Sequence, residues 1–167
     1  MVYNKILVPY DSSKLSDTAL DHAIRIAKMS SVSSSDNMVN VILFYVTTEM
    51  DIPFTFGNIL FKSNRKDETI AFREYIKELH QEIKSNAIKM LDDKTKEYRN
   101  IENILLQSKV IIGIPADEII KVADDENIDL IVMGTTGLAG ISKFKAIGSV
   151  ARSVSEKAKC PVMLVKW

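Results

Sequence analysis

Gly134-Thr-Thr-Gly137, followed after ten intervening residues by Gly148-Ser149, has the residue types and spacing to hold an anion. Four of the six glycines in the chain fall between positions 134 and 148, directly after the apolar run Leu130-Ile-Val-Met133. Glycine is used where backbone adopts positive φ or must come close to something, and the last of the four opens a helical pattern. Free N–H groups of a loop and of a helix start, backed by the helix dipole, form a phosphate cradle.

Other chemistry is thinly represented. His22 and His80 have no cysteine or second histidine at metal-ligand spacing, so both read as surface or rim residues. Cys160, the one cysteine, precedes Pro161 and reads as a small buried hydrophobe rather than a reactive thiol. The Walker pattern Gly-x4-Gly-Lys-Ser/Thr is absent, as are a Ser-Gly-Gly-x-Asp-Ser loop and a His-Ile-Gly-His signature. No general base is placed near the glycine loop, and no catalytic residue is assigned.

The elements that must position the loop alternate between two periods. Five β-branched or aliphatic runs, Lys5–Pro9, Val39–Val46, Ile104–Ile112, Asp129–Met133 and Pro161–Val165, are separated by helical patterns. Near-continuous apolar runs mark strands covered on both faces, so the sheet is expected to be parallel and doubly wound. Helices are expected after Asp11-Ser12-Ser13, over Asp67–Tyr98, from Pro115 to Glu126, and from Gly148 to about Lys159. Between the second run and the long helix, residues 47–66 carry Phe54, Phe56 and Phe61 and read as a mobile loop that could cover a ligand or pack over a helix end.

A chain of 167 residues suits one domain, residues 1–167, with a substantial core. Zero formal net charge argues against nucleic acid or an anionic membrane as partner. A single cysteine excludes an intrachain disulfide framework, and no apolar run approaches the roughly 20 residues that span a bilayer. The opening residues show no secretory n- and h-region, and a cytoplasmic location is expected.

Lys5-Ile-Leu-Val-Pro9-Tyr-Asp11-Ser-Ser13, Gly113-Ile-Pro115, Asp129-Leu-Ile-Val-Met-Gly134, Gly148-Ser-Val-Ala-Arg-Ser-Val and Cys160-Pro-Val-Met-Leu-Val together resemble the universal stress protein family, in order and over essentially the entire chain. The resemblance implies a three-layer α/β sandwich of the adenine nucleotide α-hydrolase-like kind, with four helices and strand order 3-2-1-4-5. In that order the switch point lies between strands one and four, where Pro9–Ser13 meets Met133–Gly137. Topology and glycine placement thus lead to one crevice.

Members of the family that bind ATP usually carry Gly-x2-Gly-x9-Gly-Ser/Thr; here ten residues separate Gly137 from Gly148, and Gly140 offers a place to absorb the extra one. Carried over by position, the resemblance implies that Asp11 hydrogen-bonds adenine or ribose, that the Val46 backbone meets the adenine edge, and that Pro9 and Met133 wall the base. Gly134, Gly137, Gly148 and Ser149 would hold ribose and phosphates, with Mg2+ brought by the nucleotide. Asp11 as a simple helix cap, and the glycine loop as a ligand-free turn, remain open alternatives. Lys143 and Lys145 could meet phosphates or only solvent, and the Arg152 cation could answer a phosphate or Glu156.

The expected function is an ATP- or AMP-binding stress-response regulator. A ligand-free dimeric interaction module and a slow ATP-hydrolysing protein stand as alternatives. The resemblance further implies a homodimer through the C-terminal strand, an edge that needs a partner or cover, with Trp167 at or near the interface.

Overall fold

The computed structural model describes residues 2–32, 38–48, 59–62, 69–137 and 147–166. Five parallel strands form one sheet: β1 (Lys5–Pro9), β2 (Val39–Thr47), β5 (Ile104–Ile112), β6 (Leu130–Gly134) and β7 (Val162–Val165). Their spatial order is β5-β2-β1-β6-β7, which is 3-2-1-4-5 when only these five are counted. Helices α1 (Lys14–Val32), α2 (Phe72–Glu97), α3 (Pro115–Asp125) and α4 (Ser149–Lys157) complete three layers.

Alternation along β1 shows how the layers are glued. Ile6 and Val8 pack with Ala19, Leu20, Ala23 and Leu91 under α1 and α2, while Leu7 between them packs with Ile119, Val122, Ala151 and Val154 under α3 and α4. All three β1 residues are fully buried. A strand whose successive side chains point to opposite faces can be apolar throughout only if both faces are covered. The continuous run Lys5–Pro9 therefore ends up in the middle of the sheet.

One short pair lies outside the sequence expectation. β3 (Leu60–Lys62) and β4 (Thr69–Ala71) form an antiparallel ribbon, with Leu60 opposite Ala71 and Lys62 opposite Thr69. The long helix consequently starts at Phe72 rather than Asp67, and the Phe72 N–H donates to the Ile59 carbonyl at 2.7 Å. Thr69 and Ile70 are β-branched and suit a pleated pairing, and Ile70 buries itself there. The rest of the segment 47–66, with Phe54 and Phe56, lies almost entirely outside the described residues.

Two turns matter for the site. Ser12 sits in the left-handed region at φ 62°, reversing the chain between β1 and α1. Ser13 then caps α1: its Oγ accepts the Ser16 N–H at 3.2 Å, and the Ser16 hydroxyl donates to the Ser13 carbonyl at 2.8 Å. At α4 the cap is Gly148, with extended backbone and no side-chain capping bond; its N–H donates to the Thr135 carbonyl at 2.7 Å.

Candidate functional site

β1 and β6 are neighbours whose following helices lie on opposite faces, so a crevice opens beyond their carboxyl ends. A cavity of about 600 Å³ fills it. Pro9, Asp11, Val46, Met133, Gly134, Gly137, Gly148 and Ser149, the eight residues singled out from the sequence, all line this one cavity. A volume of this size lies within the ~300–1,000 Å³ range of small-molecule pockets.

Asp11 stands at the turn between β1 and α1. Its Oδ1 accepts the Ser13 N–H at 3.1 Å, an Asx turn that fixes the carboxylate ahead of the helix, while the cap itself belongs to Ser13. The carboxylate also lies against Gly137, where a β-carbon would overlap Oδ2 and stand 3.4 Å from Cγ. Among the described lining residues Asp11 is the only charged one.

The glycines work by close approach rather than by positive φ, which none of the described glycines adopts. A β-carbon on Gly134 would stand 2.8 Å from the Leu15 β-carbon, so its absence lets the start of α1 seat against the end of β6. A β-carbon on Gly148 would stand 3.2 Å from the Thr135 carbonyl oxygen, against backbone that cannot swing away. Both cradle positions are thus closed to any side chain without displacement of a neighbour.

Gly148, Ser149, Val150 and Ala151 bring the start of α4 to the cavity. The first N–H groups of a helix have no intrahelical acceptor, and here no acidic side chain in the first turn satisfies them. The amides of Ser149, Val150 and Ala151, with the positive end of the dipole, suit an anion. The opposite walls are apolar: Pro9, Phe44, Val46, Ile119 and Met133. An apolar slot with an anion-binding end and one carboxylate suits a flat base joined to a sugar and a phosphate.

Sequence reasoning missed several wall residues. Thr135 and Thr136 lie inside the Gly134–Gly137 motif, and Pro115 lies in Gly113-Ile-Pro115, so local signals for them existed. Tyr10 and Ser13 likewise lie in the Pro9–Ser13 segment at the switch point, whereas Ser16 and Tyr45 carried no signal, since hydroxyl and aromatic residues at helix and strand positions are commonplace. Tyr10 is nearly buried, and burial together with the hydrogen bond from its hydroxyl to Asp17 raises its phenol well above the ordinary range.

Other expectations resolve variously. His22 and His80 are half-buried on α1 and α2, and among the described residues no three His, Cys, Asp or Glu side chains converge. Cys160 is half-buried, and burial pushes its thiol up, away from the reactive thiolate. Arg152 is exposed on α4. Gly140, Lys143, Lys145 and Trp167 lie outside the described residues. No helix among the described residues is long and apolar enough to cross a membrane.

Comparison with known proteins gives the same outline. The model of the universal stress protein family matches residues 60–166. Universal stress protein MJ0531 of Methanocaldococcus jannaschii is 33% identical over 165 residues, covering 99% of this chain and 83% of that protein. The solved structure of MJ0577, a universal stress protein of the same organism, superposes with a TM-score of 0.76 at 27% identity, covering 100% of this chain and 98% of that one. A universal stress protein family member from Arabidopsis thaliana, solved with AMP bound, shares the fold with a TM-score of 0.60 at 17% identity over 98% of this chain and 91% of that one.

Proposed function

The chain belongs to the universal stress protein family, and from that premise we propose that it binds an adenine nucleotide, ATP or AMP, in the crevice between β1 and β6 and acts as a cytoplasmic stress-response regulator. One observation carries the reading: the Asp11 carboxylate and the uncapped start of α4 face the same apolar cavity, and Gly137 and Gly148 leave gaps there that a β-carbon would fill. The AMP bound to the Arabidopsis thaliana relative supports it as an example of the fold with such a ligand.

In this reading each wall has a task. Asp11 accepts hydrogen bonds from ribose or base, Val46 offers backbone to the adenine edge, and Pro9 and Met133 sandwich the ring. Backbone at Gly134, Gly137 and Gly148, with the Ser149 hydroxyl and the first α4 amides, receives the phosphates. Mg2+ arrives on the nucleotide rather than in a protein cage.

The regulator acts as a homodimer through β7. This strand pairs only with β6 among the described residues, so one of its edges offers unused backbone donors and acceptors. A change of nucleotide would then be read by protein partners on the paired molecule.

The test is to denature the purified protein, identify by chromatography and mass any nucleotide released, and titrate the stripped protein with ATP and AMP, with and without Mg2+. Release of an adenine nucleotide, or saturable binding heat, is the expected result. No release and no heat up to millimolar nucleotide overturns the reading.

A further inference from the structure

The wall residue beside Asp11 is linked through Asp17 of α1 to α2, a helix that contributes no residue to the cavity lining. Tyr10 donates its backbone N–H to the Phe44 carbonyl at 2.8 Å and its phenol to Asp17 Oδ1, on the first turn of α1, also at 2.8 Å. Lys94, near the end of α2, approaches the same Asp17 oxygen at 3.0 Å and Glu97 at 3.0 Å. One turn on, the Tyr98 hydroxyl donates to Asp21 of α1 at 2.8 Å. Tyr10 lines the cavity; Asp17, Lys94 and Glu97 do not.

Resting on the nucleotide reading, we infer that Lys94 is a positioning residue for the ligand site: it holds Asp17 in place to receive the Tyr10 hydroxyl, and Tyr10 in turn sets the turn that carries Asp11. The chemistry is that of a shared acceptor. Tyr10 is 6% exposed and has its hydroxyl directed at a carboxylate whose side chain is 43% exposed. Without the ammonium group that carboxylate gains by turning to water, and the phenol is left buried without its acceptor. A buried hydroxyl that loses its partner shifts to find another, and the ring that shifts is cavity wall joined directly to Asp11. The affinity of the site therefore depends on the docking of α2 onto α1, a contact made in the layer behind the cavity.

Calorimetric titration of the full chain with ATP tests this in the parent and four variants. Lys94→Met is expected to weaken ATP binding about three- to tenfold, Lys94→Arg to restore most of it, and Tyr10→Phe to weaken it by a similar factor. Adding Lys94→Met to Tyr10→Phe is expected to cost nothing further, because the route through the hydroxyl is already cut. Melting curves accompany each titration, and affinities are compared where every protein is folded. A Lys94→Met protein that melts lower yet binds ATP as the parent does overturns the inference, since the ion pair is then only structural. Additive losses in the double variant overturn the route through Tyr10. Should Lys94→Met not fold, Asp17→Asn, which keeps size and removes the charge, takes its place with the same expected loss and the same overturning result. A parent chain that binds no ATP, with AMP also silent, removes the nucleotide reading itself and this inference with it.

Discussion

Gly137 and Asp11 touch: a β-carbon on the glycine would overlap the Oδ2 atom of the carboxylate. The contact joins the turn after β1 to the turn after β6 and sets how far apart the two loops stand. Gly137→Ala is expected to force either the carboxylate or the loop aside. ATP affinity should fall about tenfold or more, equivalent to ~1.4 kcal/mol, with little change in far-ultraviolet circular dichroism. Unchanged affinity would show that the two loops can part without consequence for a ligand.

Gly148→Val attacks the other cradle. Even a methyl group would stand 3.2 Å from the Thr135 carbonyl, and a branched side chain adds bulk where α4 begins. The expected outcome is a folded protein in which ATP and AMP no longer raise the melting temperature. A shift equal to that of the parent would remove α4 from the proposed phosphate site.

Asp11 and Ser13 divide two tasks that the sequence leaves merged. Ser13→Ala removes the cap of α1 and should lower stability by about 1 kcal/mol in urea unfolding. Asp11→Ala keeps that cap and should lower ATP affinity by about 1.5–3 kcal/mol, the worth of a charged hydrogen-bond acceptor. The reverse pattern, with Asp11→Ala costing stability and not affinity, would make Asp11 a turn residue alone.

Tyr98 gives a pH signature. Burial, then the hydrogen bond to Asp21, pushes its phenol up to about 12 from the ordinary 10.0. Folding thus favours the protonated form, so the stabilisation is fully present below pH 10 and is lost as pH rises through about 12. Tyr98→Phe should flatten that alkaline loss of stability, and an ultraviolet phenolate titration should lack one late-titrating group. A parent protein whose tyrosines all ionise near 10.0 would contradict the hydrogen bond from the half-buried Tyr98 to Asp21.

The edge strand offers a direct probe of assembly. Thr135 and Ile131 donate their N–H groups to the carbonyls of Val165 and Pro161, so by alternation the backbone of Leu164 is turned to the open edge of β7. Leu164→Pro therefore removes an outward donor and leaves the bonds to β6 in place. The proposed dimer should become monomeric in sedimentation while remaining folded. A parent protein that sediments as a monomer at micromolar concentration would end the strand-pairing proposal.

Much of the architecture was legible before any coordinates. The runs Lys5–Pro9 and Ile104–Ile112 coincide with β1 and β5, the Asp129–Met133 run is shifted by one residue at both ends relative to β6, and the Pro161–Val165 run begins one residue before β7. Proline at the first turn of α3 and glycine ahead of α4 marked two helix starts correctly. These signals are local: an apolar period or a capping residue acts over a few positions and needs no knowledge of the rest of the chain.

By itself, then, the sequence determined the strands, the helices and a glycine-marked loop beside a carboxylate-bearing turn. Tertiary structure alone decided what each piece touches. The β3–β4 ribbon took the first residues expected in the long helix, because pairing with the short strand just before them satisfies backbone that helical periodicity alone would have coiled. The glycines proved necessary for the approach of Leu15, Asp11 and the Thr135 carbonyl, not for positive φ. Asp17 became the meeting point of Tyr10 and Lys94, residues more than seventy positions apart, only because α1 and α2 lie side by side on one face of the sheet. Contacts of that kind depend on the direction in which each helix returns across the sheet, a property of the whole packed chain and of no segment within it.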